Sequence, residues 1–191
     1  MNTAGSRDMD AGDFLSPSHV LDLAVLGVAS ERARTTAEVI AVVKRVGGAR
    51  FQPTADVIAG RIAALAEAGL LAPGSAVGGP WRPSAAGRAQ VQRLLMMPSG
   101  SPVDALAAVC ACLKICFLDL LEPAARDAVI DDLMAGHRRA LHQAQAALTG
   151  CPCRCAFVQR YLARDVERWE AELGWLEALA SEVETARPWR L

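Results

Sequence analysis

Residues 53–71 read PTADVIAGRIAALAEAGLL, and residues 81–88 read WRPSAAGR. In the first segment Thr54 is placed to cap a helix, isoleucine and leucine recur at helical spacing, and Gly69 ends the run. A short strand from Leu70, a loop rich in glycine and proline, and a return strand at Trp81 follow. The pattern predicts a helix followed by a two-stranded wing.

Two further helices are predicted upstream of this segment. The mostly apolar run from Ser18 predicts a buried first helix, and Thr35 with Glu38 has the pattern of a capping box that opens a second helix through Val46. The order helix, helix, loop, helix, wing is that of a winged helix-turn-helix, whose third helix usually lies in the major groove of DNA. We therefore predict a tail at residues 1–15 and a winged-helix DNA-binding domain at residues 16–98.

The run WRPSAAGR resembles the PadR family of winged-helix transcriptional regulators, which carry a similar aromatic-Arg-x-Thr-x-x-Gly-Arg run after the wing. The segment AELGWLEAL, residues 171–179, is similar to the terminal helix through which these regulators dimerise. The resemblance implies double-stranded DNA as a partner, a homodimer and a small-molecule effector, without selecting the effector. The third helix departs from the family pattern, because small residues replace its usual aromatic and basic residues. We expect a repressor.

The basic residues of the chain are concentrated in one half. Residues 30–98 hold nine Lys or Arg against four Asp or Glu, a balance of +5, whereas residues 99–191 hold ten against thirteen, a balance of −3. We expect Arg61 to contact guanine, small side chains to meet thymine methyl groups, and the other basic residues to hold phosphates. The candidate DNA-binding residues are Lys44, Arg45, Arg50, Thr54, Ala55, Arg61, Arg82 and Arg88. The alternative is a winged-helix protein-interaction module that binds no DNA.

Residues 99–191 are predicted to form a helical dimerisation and sensor domain, so that the protein is mainly α. Prolines and a glycine at residues 98–102 mark the boundary, and one strongly apolar helix is expected over residues 103–121. A second helix is expected from Pro123 to about Thr149, with Gly136 as a weak point. An effector pocket between the two domains is expected to be lined by Met96, Met97, Phe117 and Trp169.

The last helix carries a heptad pattern. Apolar residues follow one another by alternating steps of four and three, which is typical of a coiled-coil seam. The predicted dimerisation residues are Leu162, Val166, Trp169, Leu173, Leu176, Ala180 and Val183. Two chains that dimerise through this helix could bind an inverted repeat, with one third helix in each of two successive major grooves. The alternative is that the seam packs only within its own chain.

Six cysteines form two groups. On the apolar helix Cys112 and Cys116 share a face, and buried packing is the alternative to a sensor role there. Near the start of the last helix Cys151, Cys153 and Cys155 lie beside Arg154, where the helix dipole and a guanidinium favour thiolate. These five cysteines are the sensor candidates, for redox chemistry or, in the second group, for a soft metal or haem. The spacing is not that of a structural zinc site.

Several classes of function are disfavoured. The histidines His19, His137 and His142 stand in no metal-binding or nucleophile-activating motif, so we expect no enzyme and place all three at the surface. No basic-then-apolar secretory signal opens the chain, and Lys114 and Asp119 interrupt its most apolar stretch. We therefore expect a cytoplasmic protein without membrane contact.

Overall fold

A computed structural model describes residues 14–74 and 79–185 of the chain. Its architecture is mainly helical with one two-stranded antiparallel sheet, as the sequence predicts. The predicted tail lies almost wholly outside the described residues, as do residues 75–78 of the wing loop. The elements are α1 (Pro17–Glu31), α2 (Thr36–Gly47), α3 (Ala55–Glu67), β1 (Leu71–Pro73), β2 (Trp81–Pro83), α4 (Ala85–Met96), α5 (Ala105–Cys116), α6 (Pro123–Gly150) and α7 (Ala156–Thr185), with short 3₁₀ turns at Gly48–Arg50 and Leu118–Leu120.

Helix α1 lies at the centre of the N-terminal half. Its N-terminus is closed by a capping box between Ser16 and His19, with Pro17 in the first turn. The apolar side chains of Val20 and of Leu23 to Ala29 are at most 1% exposed. They are buried on all sides because α2, α3, α4, α5 and β2 pack against α1. The other elements of this half are therefore positioned relative to α1.

The predicted helix-helix-helix-wing order is confirmed. Helix α2 begins at the Thr35–Glu38 capping box, and the Thr54 hydroxyl accepts a hydrogen bond from the backbone N–H of Val57 at 3.4 Å. Strands β1 and β2 pair antiparallel. Arg34 extends this sheet through two backbone hydrogen bonds with Trp81, of 3.2 and 2.6 Å. The wing is thus tied to the start of α2.

The expected single helix over residues 103–121 is wrong in extent. Helix α5 begins after Asp104, whose carboxylate accepts hydrogen bonds from the next turn, and it ends at Cys116. Phe117 then leaves helical geometry, at φ −123°, and its buried ring lies against Gly27 of α1. A Cβ atom at position 27 would come within 2.5 Å of that ring. The chain turns here because the ring fits only against a glycine.

Helices α6 and α7 pack against each other as an antiparallel hairpin. The predicted weak point at Gly136 is wrong, because α6 continues through it. Gly136 instead allows close approach of the preceding linker, since its Cβ position lies 3.5 Å from the Gly100 carbonyl oxygen and from Pro102. Among the helices of residues 14–74 and 79–185, none combines the length and apolar character that a bilayer crossing needs.

A buried lysine joins the two halves of the chain. Lys114 of α5 is 1% exposed, and its ammonium group donates to the Met97 carbonyl oxygen and, at 2.9 Å, to the Ser99 hydroxyl. The Ser99 backbone N–H donates in turn to the Asp132 carboxylate of α6, at 3.0 Å. Burial lowers the pKa of Lys114, and the Asp132 charge opposes part of that shift. The network fixes the 97–99 linker between α4, α5 and α6.

We expect Lys114→Ala to lower the free energy of unfolding by about 3 kcal/mol, because it leaves two acceptors unpaired and opens a cavity. Urea denaturation measures the change. The matched control is Lys44→Ala, at the other lysine of the chain, which lies near the surface and is expected to change stability by less than about 0.5 kcal/mol. Equal effects of the two substitutions would contradict a structural role for Lys114.

Candidate nucleic-acid interface and sensor cavity

Helix α3 presents a low surface formed mostly by small side chains. Ile58, Ile62 and Leu65 face inward and are at most 2% exposed. The outward face is formed largely by small residues, with Val57 as its largest apolar side chain at 49% exposure. The exposed residues of α3 are Ala55, Asp56, Val57, Gly60, Ala63, Ala64 and Glu67. Because these side chains are mostly short, the helix backbone can come close to a flat or grooved partner.

Arg61 does not belong to this exposed face. Its Nε donates to one carboxylate oxygen of Asp22 in α1, and its Nη2 donates to the other at 2.6 Å. Asp22 is 3% exposed, so the pair supplies the counter-charge that a buried carboxylate needs. These hydrogen bonds raise the pKa of Arg61. Two of the three guanidinium nitrogens are therefore bound within the domain, and the guanine contact of Arg61 stays a prediction.

The other predicted DNA-binding residues fall into separate groups. Thr54 caps α3 and Ala55 begins it, while Lys44 and Arg45 lie in the last turn of α2. Arg50, two residues beyond α2's C-cap, lines a cavity described below.

Arg82 and Arg88 lie together beside the wing. Both line a 170 Å³ pocket with Arg32, a residue that the sequence interpretation missed. Arg88 donates to the Pro83 carbonyl oxygen at 3.1 Å, and Arg32 lies 3.5 Å from Glu38. The indole N–H of Trp81 donates to the Thr36 hydroxyl at 2.9 Å, which holds this side of the wing against α2. The pocket therefore gathers three arginines together with Glu31.

A larger cavity lies between α5, the segment just before α5 (Pro102 and Val103), and α7. Its volume is 760 Å³, and Trp169 and Trp175 of α7 and Arg50 lie in its wall. Of the four residues predicted to line an effector pocket, Trp169 lines this cavity. Phe117 is in the core, Met96 is 47% exposed, and Met97 accepts the hydrogen bond from Lys114.

Cys112 and Cys116 both line this cavity. The Cys112 thiol donates to the Val46 carbonyl oxygen at 3.8 Å. A side-chain interaction with Cys116 and the nearby Arg50 charge lower the pKa of Cys112, although burial opposes the shift. The same interaction raises the pKa of Cys116. Cys110 lies in the core, where burial raises its pKa to about 11. Of the α5 cysteines, Cys112 is thus the one whose pKa is lowered.

The second cysteine group lies in the turn between α6 and α7, as predicted. Cys153 and Cys155 are exposed and Cys151 is half-buried. The backbone N–H groups of Val158 and Phe157 at the start of α7 lower the pKa of Cys155. Within residues 14–74 and 79–185, no three His, Cys, Asp or Glu side chains are gathered so that they could hold a metal ion. A redox role for this group stays a prediction.

The expected surface position of His137 is wrong. It is 6% exposed, its Nδ1 lies 2.8 Å from the Leu133 carbonyl oxygen, and its Nε2 lies 3.3 Å from Glu172 of α7. Its ring meets Trp169 edge to face, with centroids 5.6 Å apart. The residue is buried because it lies on the face of α6 that packs against α7, and it supports the cavity wall.

Comparison with solved structures finds PadR from Bacillus subtilis. Its crystal structure matches with a TM-score of 0.40 and 16% identity, covering 90% of this chain and 99% of that one. The crystal structures of the same protein in complex with operator DNA and with p-coumaric acid match with a TM-score of 0.40, at 16% and 15% identity, each covering 86% of this chain and 99% of that one. No family model and no curated protein matches the chain. At a TM-score of 0.40 these matches carry no argument about the fold or the function of this chain.

We expect iodoacetamide to label Cys112 with a midpoint below that of an ordinary thiol, because the thiolate is the nucleophile and the pKa of Cys112 is lowered. Peptide mass spectrometry of samples quenched between about pH 5 and about pH 9 measures the profile. Cys116→Ala removes the side-chain interaction with Cys112 and should move the midpoint upward. Cys116→Ser keeps a hydroxyl in place of the thiol and should move it less. A Cys112 midpoint near the ordinary thiol value in the unmodified chain would contradict the assignment.

Proposed function

We propose that the chain is a DNA-binding transcriptional regulator, a repressor that binds an inverted-repeat operator as a homodimer. The observation that carries the proposal is the low outward face of α3, which lies in a winged helix flanked by exposed arginines. A helix with short side chains fits the width of the major groove and can meet thymine methyl groups.

Affinity for DNA in this proposal comes from phosphate contacts. Arg45, Arg82 and Arg88 are exposed, and Arg82 and Arg88 belong to the arginine pocket beside the wing. Each phosphate neutralised releases counterions, so binding should weaken steeply as salt rises. Because Arg61 is held by Asp22, sequence reading would depend on shape and methyl contacts more than on a bidentate guanine contact.

A second chain would contact α7 along the part of the heptad seam that is not covered within one chain. Trp169 and Leu176 are buried against the rest of the molecule, whereas Leu162 and Val166 are partly exposed. Beside them Phe157 is 80% exposed and Tyr161 is 60% exposed. An apolar patch of this kind favours association with a like surface. We propose this half of α7 as the dimer contact.

Modulation of DNA affinity is proposed to act through the large cavity or through the cysteines. The cavity is lined by Arg50, which follows α2, and by residues of α7. A ligand or a covalent change there would touch the DNA-binding half and the proposed dimerisation helix at once. Such a change could alter the spacing of two recognition helices.

A second candidate function is supported by one specific observation. The described outward face of α3 exposes no Lys or Arg, and Asp56 and Glu67 are acidic. A winged helix with this surface could bind a protein instead of DNA. The salt dependence of binding separates the two candidates, because only DNA binding should fall by orders of magnitude with added salt.

We expect the protein to bind duplex DNA from the region upstream of its own gene with a strongly negative salt slope. Arg82→Ala should weaken binding about fivefold across sequences and reduce the salt slope by about one per chain that contacts DNA. Fluorescence anisotropy at several salt concentrations measures both quantities, and sedimentation of the same samples should give two chains per duplex. The matched control, Arg154→Ala in the α6–α7 turn, should leave affinity unchanged. Salt-independent binding, or none, would contradict the proposal.

A further inference from the structure

We propose that the cavity beside α5 captures a planar conjugated carbonyl compound of the quinone type by covalent addition to Cys112. The capture itself is argued from the cavity alone. Its effect on DNA binding rests on the proposed function.

The cavity suits an organic molecule. Its 760 Å³ lies in the range of small-molecule sites. Large apolar side chains remain open to it in the folded chain, since Trp175 is 54% exposed and Val103 is 62% exposed. The exposed Trp175 indole offers a flat face on which a ring can stack, and the buried Trp169 and Leu176 add to the apolar lining.

The cavity also presents a nucleophile and cations to the same space. Cys112 is half-buried in the wall beside Cys116 and Arg50, and these two neighbours lower its pKa, which favours the thiolate. Arg50 and Arg168 line the same cavity, and the Arg168 guanidinium lies 4.3 Å from the Trp169 ring centroid. A guanidinium beside the ligand would stabilise the negative charge that develops on a carbonyl oxygen during addition. Covalent addition to a quinone needs a thiolate, a flat apolar surface and a nearby cation, and the cavity brings these three together.

The addition is balanced without a further reactant. The Cys112 thiolate forms a carbon–sulfur bond to a ring carbon, and the π electrons of the carbon–carbon double bond move to the carbonyl oxygen. That oxygen takes a proton, and the ring hydrogen at the attacked carbon moves to the second oxygen as the ring becomes aromatic. The net change adds the thiol S–H across the quinone, so the quinone is reduced to the hydroquinone level and no group leaves.

Two other chemistries fit the site less well. Cys112 and Cys116 supply only two thiols, and the described residues gather no third metal ligand with them. A disulfide between these residues, four apart on one helix, would require the last turn of α5 to unwind. Neither metal binding nor disulfide formation would involve the tryptophan side chains that line the cavity. Each would be visible in the experiment below.

The test uses full-length protein carrying Cys151→Ser, Cys153→Ser and Cys155→Ser, so that the exposed turn does not compete. One equivalent of 1,4-benzoquinone is added at neutral pH, and peptide mass spectrometry locates the product. We expect one adduct, on Cys112, with a mass gain of one whole quinone molecule. An adduct that prefers the more exposed Cys116, or a Cys112–Cys116 disulfide, would overturn the proposal.

Recognition by the cavity is separated from simple thiol reactivity with Trp175→Ala. This substitution should slow benzoquinone addition to Cys112 about tenfold, because a stacking partner is lost, and change the iodoacetamide rate less than about twofold. Parallel loss of both rates, or of neither, would overturn the proposal. Trp175 is half exposed, so the chain should still fold, and the iodoacetamide rate reports whether Cys112 keeps its surroundings.

The consequence for DNA is measured on the same samples. The adducted protein should bind the upstream duplex at least about fivefold differently from the unmodified protein. Equal affinities would overturn the regulatory consequence. If the unmodified protein binds no duplex while the Cys112 adduct forms as expected, the proposed function fails and the capture stands, so the two failures are distinguishable.

Discussion

The ion pair between Asp22 and Arg61 constrains the whole N-terminal half. Helix α1 is packed on all sides, and a carboxylate in its middle is tolerable only with a cation brought to it. The cation comes from α3, so the pair fixes the rotation of α3 about its own axis. That rotation places Ile58 and Ile62 in the core and leaves small residues outside. The arginine of the candidate recognition helix is therefore also a structural partner of α1.

The second half is joined to this unit through polar and apolar contacts together. Lys114 links α5 to the 97–99 linker, the linker reaches Asp132 of α6, and the Phe117 ring lies on Gly27 of α1. The core is consequently continuous between the two halves, and the predicted boundary at residues 98–99 is not a gap in packing. The large cavity opens where α5 and α7 diverge. A structural change in the cavity would affect both halves of the chain, because residues of both halves form its wall.

Local signals in the sequence identified the elements, and long-range contacts decided what the sequence interpretation missed. Capping boxes, helix-ending glycines and the wing breakers act within a few residues, so α1, α2, α3 and the wing were predictable. The burial of Lys114 and His137, the early end of α5 and the Asp22–Arg61 pair depend on residues that are distant in sequence. The spacing of apolar residues along the sequence does not reveal these long-range contacts. For the candidate site, Arg82 and Arg88 near the wing could be identified from the sequence. Arg32 could not, because only the folded chain brings it beside them.

A double-mutant cycle on Asp22→Asn and Arg61→Gln, followed by urea denaturation and duplex binding, tests the central claim most directly. The account predicts a coupling energy of about 2 kcal/mol in stability, reduced from a fully buried pair because Arg61 is partly exposed. It also predicts that folded Arg61→Gln protein binds the upstream duplex as the unmodified protein does. A coupling below about 0.5 kcal/mol, together with an approximately tenfold loss of DNA affinity in Arg61→Gln alone, would show that Arg61 serves the DNA and would contradict the account.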